Sequence, residues 1–190
     1  IMIYTLQATS TTYYYSYPQC TTEPSYSVTY NLNGGTGTCP TQEAQTGGST
    51  FTLASSDGIS KTGYNFAGWN DGTTTYEAGD TYTMPNNPVT LTAQWTPIEY
   101  TLPLESTLNC VDNGSVIIEY NATSAKTFTP ATRDDYTCTG YWSAPSGGVQ
   151  VLKTDGTFVG ENVNGFITDG KWINTTATEL TPRWETEYKT

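Results

Sequence analysis

Two short stretches of the chain each occur twice. Tyr64-Asn-Phe66-Ala-Gly68 is echoed by Tyr136-Thr-Cys138-Thr-Gly140, and Leu91-Thr-Ala-Gln-Trp95 by Leu180-Thr-Pro-Arg-Trp184. A chain that repeats itself in this way is committed to two copies of one small fold rather than to one large core. The copies differ in length. Tyr64 and Trp95 are 31 residues apart, whereas Tyr136 and Trp184 are 48 apart, which leaves 17 extra residues in the second copy. Their most natural place is within Thr154–Ile173.

The residues around these stretches favour strands. Thr, Tyr, Val and Trp fit pleated, half-buried surfaces, while Leu, Ala, Lys and Glu, the usual helix builders, are scarce. Tyr26, Val28, Tyr30 and Leu32 alternate with polar residues up to the turn at Asn33-Gly34-Gly35. Val89, Leu91, Ala93 and Trp95 alternate up to Pro97, and Val116, Ile118 and Tyr120 alternate in the second copy. Period-2 patterning bounded by Asn-Gly and Asp-Gly pairs predicts strands and hairpins. The opening segment stands outside both copies. In Ile1–Thr9 the residues Ile1, Ile3, Tyr4 and Leu6 are apolar on both faces of an extended chain, so this candidate assembly strand calls for cover on both sides. It is a candidate to complete a neighbouring subunit's sheet.

Composition narrows the partners. Seven cations against 18 carboxylates give a net charge of −11, too few cations to neutralise a run of phosphates, so nucleic acid is not expected as a partner. Anionic membrane surfaces are unfavourable for the same reason, and no apolar run of about 20 residues is present to span a bilayer. The chain has no histidine, which removes Ser-His and Cys-His nucleophile pairs. Asp134-Asp135 are neighbours and do not face one another across a cleft as glycosidase carboxylates must. No DxDxDG loop is present, so the Asp-Gly pairs read as turns rather than calcium ligands. No enzyme activity, cofactor or metal is expected. The four cysteines, Cys20, Cys39, Cys110 and Cys138, form no CxxC pair. Two disulfides in an oxidising compartment fit them better than a zinc site or buried thiols, and three connectivities are open.

Tyr26–Trp95 resembles the Listeria–Bacteroides repeat, also known as the internalin B-type B repeat. The resemblance rests on VTYNLNGGTG, on the GYNFAGW core and on the MPNNPVTLTAQW ending. The second copy resembles it less, with Cys138 at the Phe66 position and Tyr141 inserted or substituted ahead of Trp142. The resemblance implies a mainly β fold: two tandem small β-grasp-like (ubiquitin-like variant) units at 25–97 and 98–190, after an N-terminal extended segment, 1–24. It implies a core of Tyr64, Phe66, Trp69, Leu91 and Trp95 in unit one, and of Tyr136, Trp142, Leu180 and Trp184 in unit two. Laid on the repeat, the cysteines pair as Cys110–Cys138 and Cys20–Cys39.

Members of this family are tandem modules of secreted or surface-anchored bacterial proteins. The resemblance therefore implies an extracellular or cell-surface location and a non-catalytic structural role, in a fibre, a pilus-like filament or a stalk, with neighbouring subunits or repeats as partners. An adhesin module that grips a glycan or a host surface protein through exposed aromatics and the Thr154–Ile173 insertion is the alternative.

Overall fold

The computed structural model describes residues 22–104, 114–176 and 179–187. The candidate assembly strand (Ile1, Ile3, Tyr4, Leu6), Cys20 and Cys110 lie outside the described residues. Every regular element among the described residues is a strand, so the fold is mainly β. Buried residues fall into two clusters, one for each copy of the repeat.

In unit one, four strands lie side by side in the order Val28–Asn31, Val89–Pro97, Tyr64–Asn70 and Thr75–Tyr76. Val28–Asn31 and Val89–Pro97 run parallel, with Val28 opposite Val89 and Tyr30 opposite Leu91. The remaining pairs are antiparallel. Parallel neighbours cannot be joined by a tight turn, and the rest of the unit forms the connection. The alternation read from the sequence decides which side chains turn inward. Val28, Tyr30, Val89, Leu91 and Ala93 are buried, while Thr29, Asn31 and Thr90 face solvent. Trp69, from the third strand of this sheet, and Leu53, Tyr82 and Met84, from outside it, complete the core.

Unit two keeps the scheme with altered edges. Tyr136–Trp142 lies between Gln150–Leu152 and Thr181–Thr186, both antiparallel to it. The first strand, Glu99–Pro103, leads to a parallel bridge between Leu104 and Leu180, which stands where Tyr30 meets Leu91 in unit one. The sequence Thr-Phe-Thr occurs in both units at corresponding places but pairs differently. Thr50–Thr52 joins Thr81–Thr83, and Thr127–Thr129 joins Ser115–Glu119.

The insertion is core rather than an exposed loop. Val163, Phe166, Ile167 and Trp172 are buried in the unit-two cluster, and Phe158 packs against it. A two-residue hairpin joins Ile167–Thr168 to Lys171–Trp172. Asp169 and Gly170 both have positive φ, 50° and 72°, the conformation that a type I′ turn requires. The Trp172 carbonyl accepts from the Asn121 N–H at 2.8 Å, and the Trp172 N–H donates to the Ala122 carbonyl at 2.9 Å.

One expectation needs correction. Tyr141, not Trp142, is the fully buried aromatic of the second central strand, and Trp142 is half-buried. Tyr141 stands opposite Pro182 as Trp69 stands opposite Ala93, so Tyr141 replaces Trp69 in the fold and is not an insertion before Trp142. The expected disulfides fall partly outside the described residues; the two described cysteines, Cys39 and Cys138, are not joined to one another. The Cys39 thiol is exposed and donates to the Tyr30 carbonyl at 3.2 Å, while the half-buried Cys138 thiol lies 3.5 Å from the Gly140 carbonyl. No disulfide joins described residues, and the expected partners Cys20 and Cys110 lie outside them.

Candidate functional site

The most distinctive place in the molecule is the joint between the units. The last strand of unit one ends at Pro97 and the first strand of unit two starts at Glu99, so Ile98 alone separates them. Ile98 is tied on both sides: its N–H donates to the Gly63 carbonyl at 2.9 Å, and its carbonyl accepts from the Tyr120 N–H at 2.9 Å. Above this link the Tyr64 and Tyr120 rings meet edge to face, with centroids 5.5 Å apart, and the Lys61 ammonium lies 4.8 Å from the Tyr64 ring centre. Gly63 is buried with φ 78°. A Cβ there would lie 2.1 Å from the Tyr120 ring, so the contact requires glycine both for its backbone angle and for its lack of a side chain. The edge-to-face pair contributes about 1 kcal/mol beyond the area it buries.

The sheet beside the joint is closed by charge. Glu99 and Glu119 lie directly opposite on neighbouring strands, an arrangement that repels. Lys126 bonds to both carboxylates. Its hydrogen bond to Glu99 holds the Glu99 carboxyl below its ordinary value and the Lys126 ammonium above it.

The far end of unit two repeats half of the joint. The Glu187 N–H donates to the Asp135 carbonyl at 3.0 Å, as Ile98 does to Gly63. Arg133 lies 3.6 Å from the Tyr136 ring centre, in the place of Lys61 over Tyr64. Asp135 has a positive φ of 60° like Gly63, but it carries a side chain at the position where Gly63 leaves room for a ring.

Of the residues expected in the cores, Trp69, Leu91 and Leu180 are wholly buried, while Tyr64, Phe66, Trp95, Tyr136 and Trp184 are half-buried. Phe66 binds its group together, with ring centres 5.1 Å from Trp69 and 5.5 Å from Trp95. The Trp69 indole donates to the Ala54 carbonyl and the Trp95 indole to the Leu32 carbonyl, both at 2.9 Å. In unit two the Tyr141 hydroxyl accepts from the Ala131 N–H at 3.1 Å. Reading by residue type missed Tyr141 because Trp142 drew the match one place along. The signal was present, since Tyr141 follows Gly140 as Trp69 follows Gly68.

One polar cluster of unit one also escaped the sequence reading. Asp71 accepts from the Thr73 and Thr74 N–H groups and from the Thr73 and Tyr82 hydroxyls. Burial pushes this carboxyl up, but the four donors outweigh it and hold it below its ordinary value. Burial, reinforced by the neighbouring Asp71 charge, pushes the Tyr82 phenol up to about 12. The cluster pins the Asn70–Thr75 hairpin to the core. Among the described residues no group of three or more His, Cys, Asp or Glu side chains is placed to hold a metal ion.

Residues 26–94 match the family model of the Listeria-Bacteroides repeat domain. A relative in Evansella cellulosilytica, whose name calls it a membrane protein, is 41% identical over 75 residues, a match that covers 37% of this chain and 11% of that protein. The chain thus spans a small part of the relative's length. No solved structure matches it.

Proposed function

We propose that this chain is a stiff, non-catalytic spacer of a bacterial surface protein, a two-unit segment of a stalk or fibre that holds other parts of its assembly at a set distance from the cell. The observation that carries this reading is the joint. A spacer transmits length only when its modules cannot swing, and a single linking residue bonded on both sides, beneath a packed pair of tyrosine rings, opposes swinging. The family of unit one and the membrane-protein name of the relative support a bacterial cell-surface setting. The acidic, polar exterior suits a module exposed to water along its length.

The test is antibody labelling of intact cells of the source bacterium, paired with electron microscopy of the labelled surface. The proposal expects label on unpermeabilised cells, displaced outward from the envelope. Label seen only after permeabilisation would overturn it.

A further inference from the structure

Both arginines of the chain, Arg133 and Arg183, line one groove of unit two. The groove has a volume of about 300 Å³, and Tyr136, Trp184, Pro145, Thr181 and Pro182 provide its other walls, with no carboxylate among the described lining residues. For a molecule of net charge −11, this is a local inversion of sign. We propose that the groove binds a carboxylate-bearing sugar ring, a uronic acid unit of an acidic polysaccharide. This assigns a ligand to a segment read above as a spacer, and it does not depend on that reading.

Three features point to this chemistry. First, each guanidinium group is set over an aromatic ring. Arg133 lies 3.6 Å from the Tyr136 ring centre and Arg183 lies 4.5 Å from that of Trp142. Arg183 is further anchored through Nη2 to the Ala144 and Gly147 carbonyls. Among the described residues the ion pairs are those of Lys126 with Glu99 and Glu119, so neither arginine is neutralised by a described carboxylate. A planar, pre-positioned guanidinium suits two-point recognition of a carboxylate. Second, Trp184 and the proline walls present apolar surface to the C–H faces of a sugar ring, which a bare phosphate would leave unused. Third, the volume suits one six-membered ring, and the surrounding negative charge disfavours a densely charged polymer such as nucleic acid. The site is peculiar to unit two. By strand register Arg183 replaces the neutral Gln94 of unit one, so a second fixed cation appears only here.

The experiment titrates the whole chain, labelled for nuclear magnetic resonance, with sodium glucuronate. Glucose and sodium acetate serve as controls at equal ionic strength. The expected result is shifts confined to Arg133, Tyr136, Pro145, Arg183 and Trp184, with a dissociation constant on the order of 1 mM. Binding of glucose or acetate should be at least about tenfold weaker, and Arg133→Gln should weaken glucuronate at least about tenfold. Absence of saturable shifts, shifts outside the groove, or equal binding of acetate and glucuronate would overturn the assignment. Should Arg133→Gln not fold, the shift map of the unaltered chain decides alone.

Discussion

Gly68 and Gly140 hold the same place in the two units. Their φ angles are 129° and 132°, and each sits beside an extra residue in its strand. Ala67 is skipped in the pairing of Phe66 with Trp95 and Gly68 with Gln94. Thr139 is skipped in the pairing of Cys138 with Trp184 and Gly140 with Arg183. The two bulges coincide although only a handful of residues are shared. A bulge bends the strand and re-aims the next side chain, which sends Trp69 and Tyr141 fully into their cores.

These glycines should resist substitution. A Cβ on Gly68 would lie 2.4 Å from the Tyr76 carbonyl oxygen, and one on Gly140 would lie 2.9 Å from that of Leu152. Backbone strain adds to the clash. Gly68→Ala and Gly140→Ala are each expected to destabilise their unit by about 1–3 kcal/mol or more. Thermal melts read this, and an unchanged melting temperature would remove the bulge from its proposed role.

The two wholly buried tryptophans should respond differently to Phe. Trp69→Phe leaves the Ala54 carbonyl without its indole donor. Trp172 has a buried indole nitrogen with no hydrogen-bond partner among the described residues, so Trp172→Phe removes a group whose unsatisfied burial costs about 1–3 kcal/mol. The expectation from denaturant unfolding is that Trp69→Phe costs more stability than Trp172→Phe.

Deleting Thr154–Ile173 should unfold unit two, because it takes Val163, Phe166, Ile167 and Trp172 out of the core. Two-dimensional spectra would then show folded resonances for unit one and collapsed ones for unit two. Two well-dispersed units after the deletion would mean that the insertion is an appendage.

The Asp71–Tyr82 contact carries its own pH signature. Tyr82 has its phenol raised from 10.0 to about 12, so its contribution is complete below pH 10 and is lost as the pH rises through 12. Asp71 has its carboxyl lowered, so its contribution is present above the ordinary carboxylate value and fades as the pH falls through the lowered one. Tyr82→Phe should shrink the alkaline limb in a pH series of melting temperatures, leaving the part due to the raised Tyr30 and Tyr100 phenols, and should also weaken the acid limb, because Asp71 loses one of its four donors.

Much of this architecture was legible in the residues, for a physical reason. Period-2 alternation reports burial directly, so the inward set Val28, Tyr30, Leu91 and Ala93 follows from the pattern. Glycine with positive φ is harder to read, since its need arises from a neighbouring strand distant in sequence. The Trp142 misassignment came from this: the register turns on Gly140, and side-chain identity pulled against it. The packing role of the Thr154–Ile173 insertion was not read because unit one has no counterpart to it, although Phe158, Val163, Phe166, Ile167 and Trp172 are too apolar to be left in water. The clasp of Gly63 by Tyr120 joins residues 57 positions apart, and no local pattern marks it.

The central claim is that the two units move as one body, and the direct measurement is the inter-unit distance distribution. Spin labels at exposed positions, Thr52 in unit one and Lys153 in unit two, would report it by pulsed electron resonance, in the native chain and in Gly63→Val. Neither Thr52 nor Lys153 is among the residues that form the joint. The account predicts a single narrow distribution for the native chain, broadened severalfold once the substituted valine side chain forces Tyr120 off its seat. A native distribution as broad as that of Gly63→Val would contradict it, and the spacer reading would lose its basis.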